Sequence, residues 1–251
     1  MRMRKKPNLA NRMERCAGLL IQNPMELRGN WRSLFPQARE LRLEVGCGKG
    51  RFTVETAAQN PECLFVAIER VADAMIIAME RAEKMDLHNV YFIDADAARL
   101  REYFAPGEVD LIYLNFSDPW PSNRHSKRRL THTDFLMRYR QVLKEGGQIH
   151  FKTDNRDLYE WSLFQFPKAG FALSEVTRDL HGNGICGVMT DYEEKFHAMG
   201  TPINRCVGTM GELPAEMAGW IDPLDKPRGQ EEGEEEESPE ELQVPSEREE
   251  P

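Results

Sequence analysis

A strand that ends in Glu44-Val45-Gly46-Cys47-Gly48-Lys49-Gly50 and reopens as a helix constrains this chain more than any other segment. Glycine at every second position lets the backbone turn sharply and keeps its amides bare, so a ligand can approach the positive end of the following helix with no side chain in between. A turn of this kind marks a cofactor site.

Around that turn, apolar runs alternate with segments of helical period. Residues 41–45, 64–69, 90–94, 109–115 and 148–152 read as strands, and 52–59, 72–85, 97–104 and 133–143 as amphipathic helices between them. Asn60-Pro61, Pro106-Gly107 and Gly146-Gly147 sit where elements should stop. Beyond them we expect a helix at 157–166, a strand at 171–176, a glycine-rich loop at 179–189 and a last strand at 192–199. Strand-helix alternation at this pitch predicts an α/β fold: a Rossmann-like, mostly parallel sheet with helices on both faces.

The 251 residues, 40% hydrophobic, suffice for one such domain with a substantial core. The net charge of −9 misleads, because residues 229–251 hold eleven glutamates and one arginine; taking that −10 away leaves +1. The remainder can therefore carry a basic face. Arg2, Arg4, Lys5, Lys6, Arg12 and Arg15 gather in an N-terminal arm, and Arg124, Lys127, Arg128 and Arg129 crowd a later loop. Such clusters suit a polyanion, since each neutralised phosphate releases counterions. Five cysteines, with no metal-ligand spacing, fit a reducing compartment. We expect a cytoplasmic protein with no membrane span and no metal, either a monomer or a homodimer.

In an open α/β sheet, ligands sit beyond the carboxyl ends of the strands. Three acids fall at such ends: Glu44 before the glycine turn, Glu69 at the end of the second strand and Asp96 after the third. Glu69 follows Gly50 by nineteen residues, the interval for a carboxylate that accepts from ribose hydroxyls. Two details separate this turn from a dinucleotide site. The spacing is Gly46-x-Gly48-x-Gly50 rather than G-x-G-x-x-G, and Glu44 would repel a pyrophosphate. It would attract a cofactor bearing an ammonium and a sulfonium, such as S-adenosylmethionine. The fourth strand then runs into Asn115-Phe116-Ser117-Asp118-Pro119-Trp120-Pro121, where Pro119 biases Asp118 toward an extended conformation at the strand tip. Trp120 offers a flat face for a base or a pocket wall.

The run Ser117-Asp118-Pro119-Trp120-Pro121, followed by Arg124-His125 and Lys127-Arg128-Arg129-Leu130, resembles the signature of bacterial tRNA (guanine-N7-)-methyltransferases. Lys152-Thr153-Asp154-Asn155 and Thr190-x-Tyr192-Glu193 are similar to that family's other motifs. The resemblance implies a class I S-adenosylmethionine-dependent methyltransferase that modifies nitrogen-7 of a guanine in the variable loop of tRNA. It further implies that Glu44, Glu69, Asp96 and Asp118 bind the cofactor, Gly46, Gly48 and Gly50 forming the turn beneath it, with Asp118 also the catalytic residue. Asp154 and Thr190, Asp191, Tyr192 and Glu193 match substrate-contacting positions. Ser122, where the family commonly has lysine, also falls at a substrate-contacting position, with Arg124, His125, Lys127, Arg128 and Arg129 beside it to contact RNA.

On this reading the chain divides into a basic arm and lead-in (1–40), a methyltransferase domain (41–208) and an acidic, disordered tail (209–251). Guanine nitrogen-7 carries an in-plane lone pair, so no proton need be removed before attack, and Asp118 or Asp154 would stabilise the positive charge that develops on the purine. Asp154 and Glu193 would accept from the base's Watson–Crick edge. A same-fold enzyme acting on another nitrogen, or a tRNA-binding protein without activity, remains the alternative that the residues alone leave open.

Overall fold

The computed structural model describes residues 5–225. Its strands are β1 (Glu40–Val45), β2 (Cys63–Ile68), β3 (Val90–Ile93), β4 (Val109–Asn115), β5 (Leu143–Thr153), β6 (Phe171–Thr177) and β7 (Asn204–Met210). The α-helices are α1 (Leu9–Arg15), α2 (Arg51–Gln59), α3 (Ala72–Lys84), α4 (Leu100–Tyr103), α5 (Thr133–Val142), α6 (Arg156–Lys168) and α7 (Asp191–Ala198). The strands form one sheet in the order β3-β2-β1-β4-β5-β7-β6, parallel from β3 to β5, with β7 antiparallel to both its neighbours. Strand order reverses between β1 and β4, which opens a crevice at their carboxyl ends.

Central strands buried on both faces need continuous apolar runs, and β2, Cys-Leu-Phe-Val-Ala-Ile, is buried throughout. Successive side chains point to opposite faces. Leu43 of β1 and Val66 of β2 thus join Leu100, Phe135 and Phe166 in the core beneath α4, α5 and α6. Phe65 of β2 and Phe92 of β3 join Phe52, Met75 and Met79 beneath α2 and α3. Met85, at the same helical spacing, is 46% exposed, because α3 ends at Lys84.

Strands β1 to β4 fall within one residue of the positions read from sequence. Strand β5 begins at Leu143, well before the expected residue 148, and passes through Gly146 in a left-handed conformation (φ +69°). The segment 97–104 divides into a 3-10 turn, Ala97–Arg99, capped by Asp96, and the single turn of α4.

The expectation of a last strand at 192–199 is corrected. That segment is α7, started by a capping box in which the Thr190 hydroxyl accepts from the Glu193 amide at 2.9 Å and the Glu193 carboxylate accepts from the Thr190 amide at 3.1 Å. The strand lies further on, as β7 between β5 and β6. Its apolar pattern is thin because Gly208 makes room for an aromatic ring: a Cβ there would stand 2.4 Å from the Phe166 ring. Strand β7 also carries regular structure to Met210, two residues past the expected end of the domain at 208. The glutamate-rich stretch 229–251 lies outside the described residues. Among the described residues no helix is long and apolar enough to cross a membrane, and no group of three or more His, Cys, Asp or Glu side chains could hold a metal ion.

Candidate active site

The glycine turn joins β1 to α2 at the reversal of strand order. Gly50 caps α2 at φ +70°, and a Cβ there would stand 2.3 Å from the Cβ of Ala78. Only glycine lets α3 pack so closely against the turn. Gly46 and Gly48 face the other way, into open space, with no atom within 4 Å of where a Cβ would be built. The result is a bare cradle that a side chain at either position would fill.

Beneath the cradle, the Glu44 carboxylate is 2% exposed and accepts from the Thr53 hydroxyl and, at 2.9 Å, from the Asn115 amide. Burial pushes its pKa up, against the two hydrogen bonds and the field of Lys152. Asn115 presents a second polar atom, because its buried Oδ1 has no hydrogen-bond partner among the described residues. An orphaned acceptor beside a carboxylate and a bare turn fits a cationic, amine-bearing cofactor. At the end of β2, Glu69 accepts from the Gly48 amide at 2.9 Å and the Val71 amide at 2.8 Å. Asp96 accepts from the Ala98 amide at 3.0 Å and lies 3.6 Å from the Arg70 guanidinium.

A cavity of about 270 Å³ opens between the cradle and α7, walled on one side by Glu44, Asn115 and Phe116 and on the other by Thr190, Asp191 and Tyr192. Helix α7 is fastened there from three directions. Asp191 forms a forked ion pair with Arg81 of α3 at 2.9 and 3.1 Å, Glu194 pairs with Arg51 of α2 at 2.5 Å, and the Phe196 ring stacks on Phe116 with centroids 6.4 Å apart. Below them Glu193, fully buried, accepts from Lys152 Nζ at 2.6 Å and bonds His181 Nε2 at 3.0 Å. The Cys186 amide donates to His181 Nδ1 at 3.1 Å, which places the proton on Nε2, facing Glu193.

Past β4, Phe116 (φ +53°) and Trp120 (φ +42°) are left-handed without being glycine. Each such residue costs about 1–3 kcal/mol and persists only where the surroundings over-determine it. The Phe116 amide is held by the Lys152 carbonyl at 2.9 Å. Asp118, between the two, is exposed. The 3-10 turn Asn123–Arg128 follows, its His125 ring edge-on to Trp120 at 5.7 Å and its Arg128 guanidinium 4.9 Å above the Trp120 ring.

A family model described as "Putative methyltransferase" matches residues 38–206. The chain is 44% identical over 206 residues to the tRNA (guanine-N(7)-)-methyltransferase of Bacillus subtilis, covering 82% of this chain and 97% of that protein. It is 46% identical over 207 residues to the protein of the same name from Halalkalibacterium halodurans, covering 82% and 94%. The chain belongs to the tRNA (guanine-N(7)-)-methyltransferase family. Among solved structures, the 16S rRNA methyltransferase KamB shares the fold at a TM-score of 0.58 and 20% identity, over 73% of this chain and 94% of that one. A 16S rRNA (adenine(1408)-N(1))-methyltransferase variant with cosubstrate SAM shares it at 0.54 and 13%, over 74% and 92%.

Within this methyltransferase frame, one cavity gathers Glu44, Gly46, Gly48 and Gly50 from the glycine turn and Thr190, Asp191 and Tyr192 from the start of α7. Glu69 borders it through Gly48, while Asp96 and Asp118 are not among its walls. Asp154 is half-buried at the end of β5, with its pKa pushed up by burial.

Five side chains expected to contact RNA or substrate are engaged within the fold instead. Glu193 cannot present oxygens to a base, since both are engaged and the residue is fully buried. Asp191 is committed to Arg81 and Thr190 to capping α7, which leaves Tyr192, 56% exposed, as the free side chain of that motif. Arg129 is 6% exposed and points inward. Arg12 of the N-terminal arm is tied bidentately to Glu80 at 2.7 and 2.6 Å, binding α1 to α3 rather than facing solvent; Arg2 and Arg4 lie outside the described residues. Ser122, Arg124, His125, Lys127 and Arg128 are exposed, as RNA contact requires. Sequence reasoning missed Asn115, Lys152 and His181. The capping signature Thr190-x-x-Glu193 was the one available clue that Glu193 faces the backbone.

Proposed function

We propose that this protein transfers a methyl group from S-adenosylmethionine to nitrogen-7 of a guanine in the variable loop of tRNA. The observation that carries the reading is the shared cavity, where a bare cradle with an orphaned acceptor meets the Thr190–Tyr192 segment of a family named for this reaction.

When bound, S-adenosylmethionine supplies an electrophilic methyl group on a sulfonium. The chain's own residues do the rest. Asn115 Oδ1, backed by Glu44, is an acceptor for the cofactor's ammonium, and Glu69 for its ribose hydroxyls. Gly46 and Gly48 let the backbone close on it. Tyr192 provides an exposed ring on which an unstacked base can lie, at an unstacking cost of a few kcal/mol. Asp118, exposed at the turn beyond β4, is the carboxylate assigned to offset the positive charge that the purine gains. Nitrogen-7 attacks through a lone pair it already has, so alignment dominates, and effective molarity can supply about 7–11 kcal/mol of the barrier. Arg124 and Arg128 grip phosphates, which position the RNA without reading its sequence.

The test is methyl transfer to unmodified tRNA, with mass analysis of the nucleosides, beside a transcript carrying 7-deazaguanosine. We expect 7-methylguanosine from the first and none from the second. Methyl incorporation into the 7-deaza transcript would overturn the assignment to nitrogen-7.

A further inference from the structure

Two adjacent arginines look interchangeable in sequence and have opposite placements. Arg128 is exposed, with its guanidinium over the Trp120 ring at 4.9 Å. Arg129 is buried. Its Nε donates to the Pro119 carbonyl at 3.1 Å and the Trp120 carbonyl at 3.3 Å, and its Nη2 donates to the Trp120 carbonyl at 3.0 Å. The same guanidinium lies 4.3 Å from the centroid of the Trp161 ring on α6. Among the described residues no carboxylate pairs with it.

We infer that Arg129 is a positioning residue for methyl transfer, a buried fork that holds the Asp118–Pro119–Trp120 turn with Trp120 in its left-handed conformation and so sets where the Asp118 carboxylate points. Trp120 sits at φ +42°, a conformation that a bulky side chain leaves unless something restrains it. The restraint is the pair of carbonyls held by one planar group, itself wedged against an aromatic face. Lysine cannot reproduce this, because an ammonium neither forks across two carbonyls nor stacks flat. A buried guanidinium is also out of reach of a phosphate, so the charge of Arg129 serves the turn and that of Arg128 the RNA.

This inference rests on the proposed role of Asp118, and its test carries one readout that does not. Arg129→Lys, Arg129→Ala and Arg128→Ala are compared with wild type for kcat and KM on tRNA and for tRNA binding against salt. Acrylamide quenching of Trp120 is isolated by difference from Trp120→Phe. We expect Arg129→Lys to lower kcat at least tenfold, with tRNA affinity and salt slope unchanged and Trp120 more accessible to quencher. Millimolar guanidinium should restore part of the kcat of Arg129→Ala. Arg128→Ala should instead reduce the salt slope. Wild-type kcat and quenching in Arg129→Lys, or a reduced salt slope in Arg129→Ala, would overturn it. Should Arg129→Ala fail to fold, Arg129→Lys decides alone. If wild type does not methylate tRNA, the functional reading falls while the quenching comparison still tests the fork.

Discussion

Lys152, near the end of β5, donates a 2.6 Å hydrogen bond to Glu193 in the first turn of α7, and both side chains are buried. The pair fixes where the Thr190–Tyr192 segment crosses the cavity, because Glu193 also closes the capping box with Thr190. Removing one member strands the other charge in the interior, at a cost of about 3–5 kcal/mol. Glu193→Ala should lose stability on that scale in urea unfolding. The double change Lys152→Met with Glu193→Leu should recover much of it. A stable Glu193→Ala protein that loses only its preference for guanine would mean that Glu193 reads the base after all.

Asp118→Ala should lower kcat about 10²–10³-fold, the scale seen when one preorganised electrostatic group is removed from a developing charge. Cofactor and tRNA binding, followed by calorimetry and filter binding, should stay near wild type, since Asp118 is exposed and outside the walls of the cavity. Retained turnover would remove Asp118 from the chemistry.

Arg124→Ala combined with Arg128→Ala should weaken tRNA binding and flatten its dependence on salt. Each phosphate contact removed is expected to reduce the log–log slope by about 0.7–0.9. An unchanged slope would place the RNA elsewhere on the surface.

His150, edge-on to Tyr113 at 5.5 Å, has its pKa pushed down to about 4, chiefly by burial and then by Arg205. The unfolded chain takes up a proton near pH 6.5 that the folded chain refuses until about pH 4, so stability falls as pH drops through that window. The full loss from this one group is roughly 3 kcal/mol. His150→Gln should show a shallower decline than wild type in urea midpoints measured between pH 7 and pH 4.5. Parallel declines would show that the ring already accepts its proton in the fold.

The sheet was legible in the chain because its central strands are buried on both faces and so must be written in unbroken apolar residues, as Cys63–Ile68 is. The turn between β1 and α2 was legible for a similarly local reason: bare-backbone turns need glycine at set positions. The last third read less well. Strand β7 is held by partners remote in sequence and carries a glycine where the Phe166 ring intrudes, while α7 depends on a cap whose meaning is tertiary.

Residue types and local spacing, which the sequence carries by itself, determined the α/β fold and the glycine turn, and the motifs that resemble those of the family carried the assignment to it. Which like residues face inward was decided only by packing. Arg128 and Arg129 have the same side chain, and the walls of Trp161 and two carbonyls make one of them structural. Glu44 and Glu193 are carboxylates whose oxygens are spent on Thr53, Asn115, Lys152 and His181. Charge in a sequence has no direction; burial and hydrogen-bond partners supply it, because an ion taken out of water must find its compensation inside the fold.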